Sequence, residues 1–125
     1  MTGEKLDTVR LQNMARAFIN SAALFAAIDL KLFTAVAAGD NTVERFARRA
    51  SISIINAERL MTMCAANGLL EWRGDHYTNA ADVDRFLVES STSYAAPWLL
   101  FTRPAWNQRT KVSMHPPPWI VRFIF

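Results

Sequence analysis

A mainly α fold carrying one small β-hairpin is predicted by three observations. Apolar residues recur at helical spacing through most of residues 6–66. Two short helix patterns, separated by a turn, follow each other between residues 42 and 67. Directly after the stop at Asn67 and Gly68, the run LLEWRGDHYT reads as two strands around Gly74 and Asp75.

In the first stretch Leu6, Val9, Met14, Ala17 and Phe18 make one apolar stripe, with Arg10, Gln12, Asn13 and Arg16 between them. The segment INSAALFAAIDLKLFTAVAAG continues it, and its alanines favour helix and close helix approach. Leu24, Ile28, Leu32 and Val36 fall at i, i+4 intervals while Phe25, Leu30 and Phe33 face elsewhere, so this helix is packed on more than one side. Gly39 ends it. Thr42 is a suitable N-cap, although Arg45 stands where a capping box would place Glu or Gln. Val43, Phe46, Ala47 and Ala50 form the inner face of the next helix, and Ser51 and Ile52 turn the chain. Ser53 caps a second helix whose apolar positions are Ile55, Leu60, Met63, Cys64 and Ala65. Leu69, Leu70 and Trp72 open a strand, Gly74 and Asp75 form its tip, and Tyr77 lies on the return strand. Asn79 is placed to cap a last short helix with Val83, Phe86 and Leu87 inward. Beyond Ser90, only residues 98–101 suggest a further turn of helix, since HPPPW removes backbone donors and holds the chain extended. The sequence thus divides into N-terminal dimerisation helices (1–40), a winged-helix-like unit (41–90) and an irregular aromatic and Pro-rich tail (91–125).

At 125 residues the chain makes one domain at most, with room for arms that depend on a partner. Its apolar fraction of 51%, with four Trp and eight Phe, implies that part of its surface meets another chain. The formal charge of +3 is unevenly placed. Residues 1–89 hold ten Lys/Arg against eleven Asp/Glu, while Arg103, Arg109, Lys111 and Arg122 follow without an acid. Cys64 is the only cysteine, which excludes an intrachain disulfide and a thiolate metal cluster. Its place in a helical apolar rhythm predicts a buried small hydrophobe. The N-terminus lacks a signal-peptide pattern. The apolar stretch 22–38 is interrupted by Asp29 and Lys31, so no membrane span and a cytoplasmic location are expected.

A helix–turn–helix followed by a hairpin is also the shape of DNA-binding winged helices, whose second helix must present Arg, Lys, Asn or Gln to the major groove. Residues 53–67 offer one arginine, Arg59, beside Glu58, a poor match to phosphates. Arg45, Arg48 and Arg49 cluster on the preceding helix, where a solvated face or ion pairs with Glu44 account for them. Catalytic patterns are missing too. Asp82 and Asp84 point to different parts of their helix. His76 and His115 have no suitably spaced ligand partner. Ser90, Ser91 and Ser93 have no neighbouring base, and the four glycines form no phosphate-binding loop. No catalytic, cofactor-binding or metal-binding residue is assigned.

AALFAAIDLKLFTAVAAG, TVERFARRA, NAERLMTMCAANGLLE and YTNAADVDRFLV, in that order and spacing, resemble the N-terminal dimerisation domain of S-adenosylmethionine-dependent small-molecule O-methyltransferases. The resemblance covers about residues 10–90. It implies a homodimer through the N-terminal helices, with Met14, Phe18, Phe25, Ile28, Leu32 and Phe33 at the interface. It also implies that Asn20, Trp98 and Phe101 are positioned to line a substrate pocket for an aromatic small molecule. S-adenosylmethionine is implied for the parent enzyme only, because the family's catalytic base and glycine-rich cofactor motif lie in a separate C-terminal domain. Ser51 departs from the pattern near a turn where the family often has glycine, and the resemblance fades after about Arg109.

The expected function is therefore a non-catalytic dimerisation module of, or derived from, a natural-product O-methyltransferase. Two alternatives stay open at this point: a winged-helix transcription regulator, and a stand-alone dimer that binds a hydrophobic metabolite. A fragment, an excised domain, a truncated product and an independent relative all fit the sequence.

Overall fold

The computed structural model describes residues 5–102. The elements are α1 (Val9–Asp29), α2 (Leu32–Ala37), α3 (Val43–Ala50), α4 (Ile54–Ala66), β1 (Leu70–Trp72), β2 (Tyr77–Asn79), α5 (Ala81–Phe86) and α6 (Ala96–Phe101). This is the mainly helical chain with a two-stranded antiparallel hairpin that the sequence predicts. His115, the proline run and the WIVRFIF end lie outside the described residues.

The i, i+4 pattern places Leu24, Ile28, Leu32 and Val36 on one helix, but the structure breaks that helix at Leu30 and Lys31. Lys31 adopts a left-handed conformation with φ 57° and ψ 38°. The break lets the chain change direction, so that α2 begins with Leu32 and Phe33. After the break both are fully buried, together with Ala35 and Val36. A left-handed non-glycine residue costs about 1–2 kcal/mol. Burying a Leu or Phe side chain returns about 1.5–3 kcal/mol each, so burial wins.

Thr42 caps α3 as expected, its hydroxyl accepting from the Arg45 amide at 3.3 Å. Ser53 caps α4, accepting from the Asn56 amide at 3.1 Å. Gly39 and Gly68 take positive φ just past α2 and α4, so the glycine stops operate where the sequence puts them. The inner face of α4 is Ala57, Leu60, Met61 and Cys64, a regular i, i+3, i+4, i+7 set. Ile55, expected inside, is exposed, because that register turns it away from the core.

Between α3 and α4, Ser51 also sits in the left-handed region, at φ 58°. The glycine that the resembling family often carries here would occupy that conformation freely. Ser51→Gly is expected to stabilise the fold by about 1 kcal/mol, read as a melting-temperature rise of about 4–8 °C. An unchanged or lower midpoint would show that the serine is not strained.

The hairpin pairs Leu70 with Asn79, Glu71 with Thr78 and Trp72 with Tyr77. Arg73 N–H donates to the His76 carbonyl at 2.8 Å, leaving Gly74 and Asp75 as a two-residue tip. Gly74 has φ 95°, the positive value that the first central residue of a type II′ turn requires. On the outer side of β2, the Tyr77 amide donates to the Asn41 carbonyl at 2.9 Å, which ties the hairpin to the α2–α3 loop.

Two expectations about α5 need correction. Ala80, not Asn79, is its N-cap residue, and no side chain caps it. Asn79 is drawn into the strand end, where its amide donates to the Phe33 carbonyl at 2.9 Å and to Asp84 at 3.3 Å. Phe86 is 40% exposed, under the Arg85 guanidinium 5.4 Å from its ring centre. The helix ends at Phe86, so the next residues, Leu87 and Val88, supply the buried side chains. One core joins residues from Ala22 to Ala96, with Phe33, Phe46, Leu32, Leu60, Met61 and Cys64 at its centre.

Cys64 is a buried small hydrophobe, as its helical position predicts. Burial pushes its thiol up to about 12 from 9.0. The folded state therefore keeps its proton where the unfolded chain loses it. That contribution is intact below pH 9 and is lost as pH rises from about 9 towards 12, at no more than about 1.4 kcal/mol per pH unit. The native thiol should resist iodoacetamide at pH 8 and react once the chain is denatured. Cys64→Ala should flatten the fall in melting temperature above pH 9. Rapid native labelling would contradict the burial.

Candidate functional site

The residues that stand out are on α1, because its two halves differ. The C-terminal half is anchored: Ala22, Ala23, Phe25, Ala26, Ala27 and Ile28 are buried against the rest of the chain. Every residue from 9 to 17 is exposed, although all are helical. The apolar stripe continues outward across that boundary, from Phe25 through half-buried Phe18 to Met14 and Leu11 at i, i+3, i+7 spacing. Met14 is 65% exposed and Leu11 56%. A greasy stripe on an uncovered helix is the mark of a protein contact.

The six positions named as interface candidates thus fall in two environments. Met14 lies open on the outer arm, with Phe18 at its root, while Phe25, Ile28, Leu32 and Phe33 are covered by this chain's own core. The three pocket candidates are on different helices. Asn20 is exposed on α1, and Trp98 and Phe101 are exposed three residues apart on α6.

A second uncovered surface was not legible as such in the sequence. Ile54, Ile55 and Trp72 are each more than half exposed on α4 and β1. Beside them is a cleft lined by Thr42, Val43, Glu44, Glu58, Thr62, Trp72, Asp75 and Tyr77. The Trp72 and Tyr77 rings meet edge to face with centres 4.8 Å apart. Among the described residues, three carboxylates and no lysine or arginine line this cleft, the wrong sign for a phosphate backbone. The signal that could have revealed it is the i, i+4 series Ile54, Glu58 and Thr62, which gives α4 an outer face that is apolar and acidic.

The arginine cluster on α3 is held from the α2–α3 loop. Arg45 donates to the Gly39 carbonyl at 3.2 Å, and Arg49 pairs with Asp40, rather than Glu44, at 2.9 Å. Such exposed pairs contribute at most about 1 kcal/mol. Arg48 and Arg49 also occupy the last turn of α3, where cations suit the helix dipole. No three of His, Cys, Asp and Glu assemble as metal ligands among the described residues. No helix among them is long and apolar enough to cross a membrane.

A helical arm with an uncovered apolar stripe, rooted in a compact helical unit with a hairpin, defines an association domain. The chain matches the family model of the O-methyltransferase dimerisation domain over residues 12–89. It is 35% identical over 105 residues to the 3-hydroxy-5-methyl-1-naphthoate 3-O-methyltransferase of Streptomyces sahachiroi, covering 81% of this chain and 30% of that protein. It is 37% identical over 92 residues to the acetylserotonin O-methyltransferase of Rattus norvegicus, covering 73% of this chain and 21% of that protein. The fold is shared with human N-acetylserotonin methyltransferase, solved in complex with SAM. The TM-score there is 0.68 at 24% identity, over 90% of this chain and 35% of that one. The chain belongs to the O-methyltransferase dimerisation domain family. It spans less than a third of the length of these curated relatives.

The described residues do not fit S-adenosylmethionine. Gly39, Gly68 and Gly74 each sit singly at a turn, and the short antiparallel strands provide no strand-to-helix crossover at which a nucleoside could bind.

Proposed function

We propose that this chain is the homodimerising, non-catalytic module of an S-adenosylmethionine-dependent O-methyltransferase acting on aromatic natural products. The observation that carries the reading is the α1 stripe, which leaves the core and continues onto an uncovered helix. Met14 and Phe18 make the contact between copies, and Phe25, Ile28, Leu32 and Phe33 hold the arm's root in place from inside. The winged-helix shape of α3, α4 and the hairpin serves as a support for the arm. The naphthoate methyltransferase relative supports an aromatic substrate for the parent enzyme. In that enzyme Asn20, Trp98 and Phe101 would contribute to the pocket wall. The compartment is the cytoplasm, where a single reduced thiol is ordinary.

Light scattering on the chain at micromolar concentration tests the reading. A dimeric mass is expected, and a monomeric one would sink it. Titration with S-adenosylmethionine should give no binding heat, whereas saturable binding would end the non-catalytic part of the proposal. The acidic cleft disfavours the DNA-binding alternative, and mixed duplex DNA at low salt should show no gel shift.

A further inference from the structure

We infer that the exposed part of α1, residues 9–17, docks on the α4–hairpin face of a second copy, whose own arm makes the reciprocal contact. This rests on the dimer reading above and adds where the arm goes.

The arm needs a partner. A helical stretch of this length is marginal in water by itself, and every residue in it is exposed. Leu11 and Met14 supply its apolar stripe, Arg10 flanks that stripe one turn from Met14, and Arg16 lies on the opposite face of the helix. No acidic residue occurs between Asp7 and Asp29.

The α4–hairpin face has the opposite character. Ile54, Ile55 and Trp72 give it exposed apolar surface, and Val43 and Tyr77 floor the adjoining cleft. Glu44, Glu58 and Asp75 edge it with negative charge. Two uncovered surfaces, each apolar and of opposite sign, therefore coexist on one chain. Charge complementarity of this kind selects partner and register, while the apolar contact supplies most of the affinity.

Symmetry completes the argument. In a two-fold dimer a contact from arm to face occurs twice, so both arms and both faces are covered at once. A closed pair leaves neither surface to recruit further copies. This arrangement also gives a role to the outward turn of Ile54 and Ile55, which the core does not use.

Charge exchange tests the contact, using the whole chain and sedimentation equilibrium. Arg10→Glu and Glu44→Lys/Glu58→Lys should each weaken the dimer by about tenfold or more. An equimolar mixture of the two variants should restore wild-type association. In the mixed dimer one contact is native and the other is charge-reversed on both sides. All three substitutions are on exposed positions, so melting temperatures at low concentration should stay near wild type. If both variants dimerise as the wild type does, the docking is overturned and the dimer reading stands. Weakened variants that fail to rescue one another in the mixture overturn it as well. A monomeric wild type overturns both.

Discussion

Met14→Asp is expected to turn the dimer into a monomer while leaving the fold of each chain intact. Met14 is 65% exposed on a part of α1 whose residues are all exposed, so its removal takes little from the monomer. The helix itself loses only about 0.5 kcal/mol of propensity. At the interface the effect is much larger. A carboxylate placed among Leu11, Phe18 and the apolar surface of a second copy must give up its hydration, a loss that Arg10 one turn away offsets only in part. A cost of about 3 kcal/mol, on the scale of a truncated hot spot, raises the dissociation constant by more than about 100-fold. Sedimentation equilibrium should then report a monomer at concentrations where the wild type is paired, with an unchanged helical spectrum. Met14→Leu, which keeps the volume and the apolar surface, should remain dimeric. A dimeric Met14→Asp would move the interface off this arm.

How much of this was legible in the sequence depends on whether a feature is set by local or by distant contacts. The caps Thr42 and Ser53, the glycine stops and the hairpin tip depend on a few neighbouring residues, and the chain states them directly. The break at Lys31 does not. It is decided by whether Leu32 and Phe33 can both reach a core assembled from α3, α4 and α5, and nothing near Lys31 announces it. Asn79 fails for the same reason. Its pattern suits an N-cap, yet the carbonyl of Phe33, 46 residues earlier, is the partner it takes. On α4 the apolar residues outnumber the places in the core, and only packing decides that Met61 goes in and Ile55 goes out. The surplus was visible from composition, but its location on the α4 face was not. The family resemblance likewise named residues for association without separating those held inside the chain from those on the open arm.

That separation is sharpest at Phe33, where Phe33→Ala is expected to act on folding before it acts on pairing. The ring is 1% exposed at the start of α2, directly after the strained Lys31. Removing a fully buried Phe leaves a cavity that close-packed neighbours fill only in part, at a cost of about 3–5 kcal/mol. The left-handed turn would then have lost much of the burial that offsets it. A domain of this size has about 5–15 kcal/mol of stability in all, so the variant should melt at least about 12 °C below wild type. Near the low end of that range only about 0–2 kcal/mol would remain, so up to about half of the chains would be unfolded. Its carbonyl still receives the Asn79 amide, so the hairpin keeps that attachment and the loss reports the ring alone. The order of events distinguishes the two kinds of apolar residue. Diluting Met14→Asp should reveal folded monomers, whereas Phe33→Ala should lose helix and mass together. A Phe33→Ala chain that melts like wild type but no longer pairs would place Phe33 at the contact between copies and not in the core.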